Sequence, residues 1–192
     1  MLSTKLKDYS IILASGSPRR QQFLKDLGID YTIKLREVEE IYPSTLKGVE
    51  ITDYLAELKS SSFDNLKKNE ILITSDTIVW LENKAIGKPK DRKDAINILK
   101  SISGKKHEVM TSICLKTRDS IKIVNDTTQV YFKILTQEEI EYYLDTFEPY
   151  DKAGAYGIQD WIGYIGVEKI EGSFFNVMGL PVHKLYTELL KF

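Results

Sequence analysis

The residues best suited to chemistry come first in residues 14–20, ASGSPRR, directly after a short apolar run. A proline stands at the favoured first position of a helix, so Ser15 and Ser17 fall in the turn that leads into that helix. Such a turn points backbone N–H groups and the positive end of the helix dipole toward an anion. Arg19 and Arg20 add two charged donors. The segment is typical of a phosphate site, and a capped surface helix with two solvated arginines fits the same pattern.

Two more charged side chains stand where a folded chain could hold them firmly. Asp76 follows the strand-like residues 71–74, ILIT, and ligands of α/β folds gather where strands end. A carboxylate there can hold Mg²⁺ or take a proton from water, although a simple turn aspartate is the alternative. Lys88 lies between a glycine and a proline, which can hold it near a phosphate or simply form a turn.

A fourth segment, residues 151–159 with the sequence DKAGAYGIQ, is rich in small residues. A loop of such low bulk can lie against a flat ligand, and the amide of Gln159 can pair with the edge of a base. A packed structural loop is the alternative interpretation.

Composition excludes several classes of site. The formal net charge is −1, which argues against a general nucleic-acid binder. Cys114 is the one cysteine and there are two histidines, so disulfides, thiolate zinc sites and His-rich metal sites are excluded. A metal would need oxygen ligands, which favours Mg²⁺ or Mn²⁺. Ser15 and Ser17 have no His–Asp partner pattern, so we interpret them as capping residues and not as nucleophiles.

The same sequence shows no signal-peptide pattern and no apolar run near the roughly 20 residues that span a bilayer. We therefore expect a cytoplasmic protein that makes no membrane contact.

Strand and helix patterns alternate along the chain with no repeat and no linker, which predicts one α/β domain over residues 1–192 with a mixed, partly antiparallel sheet. Helices are predicted at 19–27, 51–66 with Tyr54, Leu55 and Leu58 inward, 92–102, 136–147 and 181–190. Strands are predicted at 10–14, 31–35, 70–74 continuing through 78–81, 107–115, 121–134 and around 162–170.

These motifs together resemble the Maf family of nucleotide pyrophosphatases over nearly the whole chain. The matching segments, in family order and spacing, are residues 14–20, 75–79, 87–89, 103–104, 151–159 and 172–181. The Arg-Arg pair, the Asp-Thr pair and the KAGAYGIQ run are most similar to the branch that acts on dTTP and UTP. The resemblance implies hydrolysis of a nucleoside triphosphate to the monophosphate and pyrophosphate.

The resemblance also implies roles for individual residues. Asp76 matches the proton acceptor of the family, and Arg19, Thr77 and Gln159 match the positions that set base specificity. The basic residues along the phosphate path are matched by Arg20, Lys59 and Lys88, with the turn of Ser15 and Ser17 beside them.

A divalent metal, Mg²⁺ or Mn²⁺, is implied as well, with Glu40 and Asp76 as its ligands. Glu39 stands beside Glu40 in the same loop. The family fold is ITPase-like, with helices flanking the sheet and two lobes around a deep cleft, and it often forms homodimers. Two departures are the serines at 60–62, where alanines are usual, and Asp160-Trp161, where glycine-rich residues are common.

Two other functions fit parts of the pattern. A sugar-phosphate nucleotidyltransferase also opens with a strand and a small-residue turn carrying an arginine, but this chain is short and lacks the Gly-x-Gly spacing. A regulatory module would bind nucleotide without hydrolysing it.

Overall fold

Runs of Ile and Leu alternate with amphipathic segments, and in the computed structural model, which describes residues 1–192, they form a mixed sheet flanked by helices. The strands are Ser10–Leu13 (β1), Tyr31–Ile33 (β2), Glu70–Leu81 (β3), Lys84–Ile86 (β4), Lys106–Lys116 (β5), Ile121–Phe132 (β6) and Val167–Glu171 (β7). The helices are Leu2–Lys5 (α1), Pro18–Asp26 (α2), Val49–Ser61 (α3), Arg92–Ile102 (α4), Gln137–Phe147 (α5), Trp161–Gly166 (α6), Phe174–Val177 (α7) and Val182–Leu189 (α8). The strand order is β2-β1-β3-β5-β6-β7, with β4 paired with β3.

The chain divides into two compact units. The first unit contains Met1–Asp76, Thr111–Asp126 and Gly179–Phe192, and the second contains Thr77–Met110 and Thr127–Met178. No helix in the structure is long and apolar enough to cross a membrane.

The first unit is organised by parallel pairing. Strand β1 pairs in parallel with β2 on one side and with β3 on the other, so that Ile12 lies beside both Thr32 and Leu72. The strand interior is continuous Ile and Leu, as expected for parallel strands buried on both faces. Ile12 and Leu72 also pack with Phe63, just beyond helix α3. This packing fixes α3 against the strand that carries Asp76.

Two strand pairs in the second unit, β3 with β4 and β6 with β7, are antiparallel. A two-residue turn with positive φ at Glu82 and Asn83 joins β3 to the antiparallel β4, and β6 pairs antiparallel with β7. Helices α4 and α5 bury Leu99, Ile102 and Leu144 in a core cluster with residues of the strands. Helix α5 begins with the capping box of Thr136 and Glu139.

The α/β class with a mixed, partly antiparallel sheet is confirmed, and most elements lie within a few residues of their predicted bounds. Helix α2 ends at Asp26, and Gly28, just past its C-cap residue Leu27, has the left-handed φ of +67° that glycine favours at this position. The single-domain assignment and the deep cleft stay predictions.

Three details of the prediction were wrong. The apolar segment predicted as strand around 162–170 begins with helix α6, and only Val167–Glu171 is a strand. Residues 161–167 are an uninterrupted apolar run, and such a run has no period that could distinguish a helix from a strand. Tyr54 was expected inward but is exposed, because the buried stripe of α3 runs through Thr52, Ala56 and Ser60. Helix α3 also ends at Ser61 and not near 66.

Candidate active site

Lys59 lies against both carboxylates that the sequence predicts as metal ligands. Its ammonium Nζ is 2.5 Å from Asp76 Oδ1 and 3.1 Å from Glu40 Oε1. Asp76 is buried, whereas the side chain of Glu40 is half exposed. The three residues come from strand β3, helix α3 and the loop before α3, so only the fold of the first unit brings them together. One cation thus offsets the charge of two carboxylates at a single place.

A buried hydroxyl ties the helix that carries Lys59 to the strand that carries Asp76. Thr74 Oγ1 donates to the backbone oxygen of Ala56 at 2.6 Å. Ala56 lies three residues before Lys59 on α3. Thr74 lies two residues before Asp76 on β3, so the side chains of Thr74 and Asp76 point to the same face of the strand. The bond fixes the register of the helix on the strand, and with it the approach of Lys59 to Asp76.

The turn after β1 is held together by Ser15 and Arg20. The hydroxyl of Ser15, which is buried, accepts from Ser17 N at 3.3 Å and from Arg20 Nη1 at 3.4 Å. Ser17 stands at the N-cap position of α2, but its side chain makes no capping hydrogen bond, so the capping role expected for it was wrong. The turn is stabilised instead by the hydroxyl of Ser15, two residues before the N-cap position.

Arg20 is anchored to backbone carbonyls. Nη1 donates to Ser75 O at 2.9 Å, and Nε donates to Gly179 O at 2.8 Å. Desolvation lowers the pKa of Arg20 to about 10, the positive charge of Arg19 acts in the same direction, and the negative charges of Asp76 and Glu40 oppose the shift. Arg20 therefore stays protonated at neutral pH and places a fixed positive charge near Asp76.

Asp76 lies inside strand β3, in agreement with the predicted continuation of the strand through 78–81. The motif interpretation that placed this carboxylate at a strand end was wrong. A strand interior holds the backbone on both sides of the carboxylate by ladder hydrogen bonds. The neighbouring Ser75 is buried, and its hydroxyl oxygen has no hydrogen-bond partner. Thr77 continues the strand as the first residue of the second unit.

In the second unit, the turn of Lys88 and the small-residue loop are joined by the backbone. Gly154 N donates to Gly87 O at 3.0 Å, and Lys88 beside it is exposed. Gly154 has a φ of +73°, and a Cβ at that position would meet Val79 at 2.6 Å. This glycine is therefore required by the backbone conformation and by packing. The hydrogen bond joins the turn of Lys88 and the loop of residues 151–159 into one structural element.

Gln159 belongs to a hydrogen-bonded group at the end of that loop. Its Nε2 donates to Asp160 Oδ1 at 3.0 Å, and Tyr143 OH donates to Asp160 Oδ2 at 2.8 Å. Gly157 N in turn donates to Tyr143 OH at 3.0 Å. A Cβ on Gly157 would meet Asp160 Oδ2 at 2.4 Å, which explains the glycine. Burial and the neighbouring Asp160 raise the pKa of Tyr143, so its proton stays available for donation.

The structure thus brings together Ser15, Arg20, Glu40, Lys59 and Asp76 in the first unit, with Ser17 and Arg19 beside them along the chain. Thr77, Lys88 and Gln159 belong to the second unit.

Sequence reasoning missed three residues that support this arrangement. Thr74 bonds Ala56 and Tyr143 bonds Asp160 across different elements, and no local pattern marks such contacts. Asp160 was noted only as a departure from the family, and its contact with Gln159 was not foreseen. For Trp161 the sequence allowed two positions, one narrowing the base pocket and one packed outside it. In the structure its ring packs edge-on against Tyr142, with ring centroids 4.8 Å apart. Cys114 is buried as expected.

Comparison with known proteins gives one consistent relationship. A family model described as Maf-like protein matches residues 10–192. A protein from Flavobacterium johnsoniae named dTTP/UTP pyrophosphatase is 60% identical over 190 residues, which cover 98% of each chain. A Bacteroides thetaiotaomicron protein of the same name is 50% identical over 188 residues, 97% of each chain. Among solved structures, a HAM1 protein from Coxiella burnetii shares the fold at a TM-score of 0.53 and 14% identity, over 96% of this chain and 100% of that one.

Proposed function

This chain belongs to the Maf-like protein family, and from that premise we propose that it is a nucleoside triphosphate pyrophosphatase acting on dTTP and UTP. The reaction consumes one water and yields the nucleoside monophosphate and pyrophosphate. The single observation that carries the proposal is the placement of Lys59 against Asp76 and Glu40. A polyanionic substrate needs such cations, and its hydrolysis needs a carboxylate that can take a proton from water.

In the proposed reaction, water attacks the α-phosphorus and the bond from that phosphorus to the oxygen of the β-phosphate breaks. Asp76 takes the proton of the attacking water. Lys59 turns from the carboxylates to the phosphate oxygens, and Arg20 supplies a fixed positive charge from the anchored turn. On the family resemblance alone, we assign the remaining phosphate contacts to the turn of Ser15 and Ser17 and to the ammonium of Lys88.

We also propose a dependence on Mg²⁺ or Mn²⁺, with Asp76 and Glu40 as the protein ligands. The donor set fits this choice, because both side chains are carboxylates and both contact one cation, Lys59. No group of three or more His, Cys, Asp or Glu side chains is arranged to hold a metal ion. Mg²⁺ commonly binds proteins through one or two carboxylates and completes its shell with water and substrate phosphates. When bound, the ion would neutralise charge on the phosphates and polarise the attacking water.

Base preference is proposed to depend on Arg19, Thr77 and Gln159. Their assignment rests on the family resemblance, and the hydrogen bond of Gln159 with Asp160 supports it, because a fixed amide can select between bases. We propose further, on the same resemblance, that the protein is a cytoplasmic homodimer that does not bind nucleic acid. Sedimentation equilibrium would test the dimer directly.

Pyrophosphate release from a panel of canonical and modified nucleoside triphosphates tests the whole proposal, with Mg²⁺, with Mn²⁺ and with EDTA. We expect release from dTTP and UTP that EDTA abolishes. Release that continues in EDTA would overturn the metal dependence alone. Preference for a guanine nucleotide would keep the reaction and overturn the roles of Arg19, Thr77 and Gln159.

The same assay separates the two other functions. Turnover that requires a sugar phosphate would favour a nucleotidyltransferase, and nucleotide binding without any product would favour a regulatory module. The names of the relatives support hydrolysis over both alternatives.

A further inference from the structure

The side-chain amide of Gln159 has one end held by the protein and the other end without a partner. Nε2 donates to Asp160 Oδ1, whereas Oε1 is shielded from solvent and accepts no hydrogen bond. A shielded acceptor without a donor is unfavourable, so such an atom indicates a missing partner or a strained site. The side chain as a whole keeps some exposure, which leaves room for a ligand to approach it.

The orientation of this amide follows from the chemistry of its neighbours. Tyr143 OH accepts from Gly157 N, so its own proton goes to Asp160 Oδ2. Both oxygens of the Asp160 carboxylate therefore accept hydrogen bonds, and an ionised carboxylate offers no donor in return. Gln159 has to turn its NH₂ group toward Asp160, which leaves its carbonyl oxygen for the ligand.

We propose that Asp160 is a specificity-positioning residue, which holds Gln159 so that Oε1 accepts the ring N3–H of uracil or thymine. This inference rests on the proposed action on dTTP and UTP. The terminal torsion of a glutamine is soft, so Oε1 can turn toward a bound base while Nε2 keeps its bond to Asp160. A pyrimidine with a protonated N3 supplies the donor that Oε1 lacks.

The same contact rejects cytosine. Its N3 carries a lone pair and no hydrogen, so two acceptors would face each other without a proton between them. Sites built to hydrogen-bond a substrate group discriminate strongly against analogues that leave the protein group unpaired. Asp160 acts here through Gln159 and does not touch the base. This chain has Asp160 where glycine-rich residues were expected, so the positioning is a property of its own sequence.

Asp160→Asn tests the proposal, because it keeps the shape of the side chain and adds a donor. In this variant Tyr143 OH donates to the oxygen of the new amide, so the new NH₂ group faces Gln159. The amide of Gln159 then turns its Oε1 toward that NH₂ group and away from the base. Gln159 then presents N–H groups to the base, which suit the N3 lone pair of cytosine. We expect the ratio of kcat/KM for UTP to that for CTP to fall at least tenfold, a change that general loss of structure would not produce. Asp145→Asn, at an exposed aspartate paired with Arg92, is the matched control and should leave the ratio unchanged.

N3-methyluridine triphosphate tests the wild-type protein without any substitution. We expect its kcat/KM to be at least tenfold below that of UTP, and the difference to shrink severalfold in Gln159→Ala. An unchanged UTP to CTP ratio in folded Asp160→Asn would overturn the proposal, and so would equal turnover of UTP and its N3-methyl form. If Asp160→Asn does not fold, the methylated nucleotide tests the contact of Gln159 with N3–H, and Asp160→Ala, which removes the acceptor of Nε2, tests the role of Asp160 by the same UTP to CTP ratio. Absence of pyrophosphate release from UTP by the wild-type protein would instead overturn the proposed function itself.

Discussion

Lys59 Nζ lies 2.5 Å from Asp76 Oδ1, and this contact joins helix α3 to strand β3 through two side chains that are mostly shielded from water. The same nitrogen lies 3.1 Å from Glu40 Oε1, so one ammonium contacts both carboxylates that we propose as metal ligands. A bound substrate would give Lys59 phosphate oxygens as new partners. The relationship implies that Lys59 and Asp76 act as a unit, and the first predictions test that.

Replacing Lys59 with Met should lower turnover about 100-fold, because two carboxylates lose their counter-charge and the phosphates lose a donor. Pyrophosphate release under saturating dTTP measures it. Lys116→Met is the matched control, since Lys116 Nζ donates to Ser60 O on the same helix and contacts neither carboxylate. Activity near that of the control would refute a catalytic role for Lys59.

Asp76→Asn should lower kcat by about two orders of magnitude or more, the effect expected when a group that accepts a proton is lost. The variant keeps the side-chain volume, so far-ultraviolet circular dichroism should stay close to wild type and show that the protein remains folded. Asp119→Asn removes an exposed aspartate of the same unit, paired with Arg118, and should leave kcat unchanged. Near-normal turnover by Asp76→Asn would remove Asp76 from the mechanism.

Arg20→Lys should reduce both stability and substrate affinity. A lysine has no rigid fork of donors and cannot bond Ser75 O and Gly179 O together as the guanidinium does. One buried carbonyl left unpaired costs about 1–3 kcal/mol, which urea unfolding would detect. Arg118→Lys, in an exposed pair, serves as the control. An unchanged free energy of unfolding would mean that these carbonyls find other donors.

Thr74→Val should lower turnover several-fold, because it removes the hydroxyl that ties β3 to Ala56 and loosens the approach of Lys59 to Asp76. Thr74→Ser should restore most of the activity. A double-mutant cycle distinguishes positioning from general destabilisation: in a Lys59→Met background, Thr74→Val should have little further effect on kcat. Fully additive losses would show that Thr74 contributes to stability alone.

His107 should make the protein less stable in mild acid. Its ring lies buried with Nε2 2.8 Å from Tyr156 OH, and desolvation lowers the pKa of His107 to about 4 from 6.5. The folded state therefore favours neutral imidazole. Its contribution is fully present above pH 6.5 and is lost as the pH falls toward 4, by roughly 3 kcal/mol at most.

Urea unfolding from pH 7 to pH 4 measures this effect. As the pH is lowered from 7 to 4, the free energy of unfolding should decrease more steeply in the wild type than in His107→Gln. His183→Gln, at an exposed histidine, should follow the wild type. Parallel curves for the His107 variant and the wild type would contradict the assignment.

Local pattern alone determined much of this protein. The apolar run of β1, the turn before α2, the capping box at Thr136 and the glycine cap at Gly28 were all predictable, because short-range sterics and local hydrogen bonds decide them. The motif spacing also identified the family, which the match over residues 10–192 confirms. The helix at Trp161–Gly166 was missed because an unbroken apolar segment carries no period.

Only the tertiary structure decided which of the candidate residues meet. Lys59 and Asp76 are 17 positions apart, and Glu40 is farther still, so their contact depends on how α3 packs on β3. Asp160 holds the amide of Gln159 through one oxygen, and its other oxygen accepts from Tyr143 on helix α5. Residue types and spacing determine what chemistry is available. Distances and hydrogen-bond directions arise only when packing brings distant segments together.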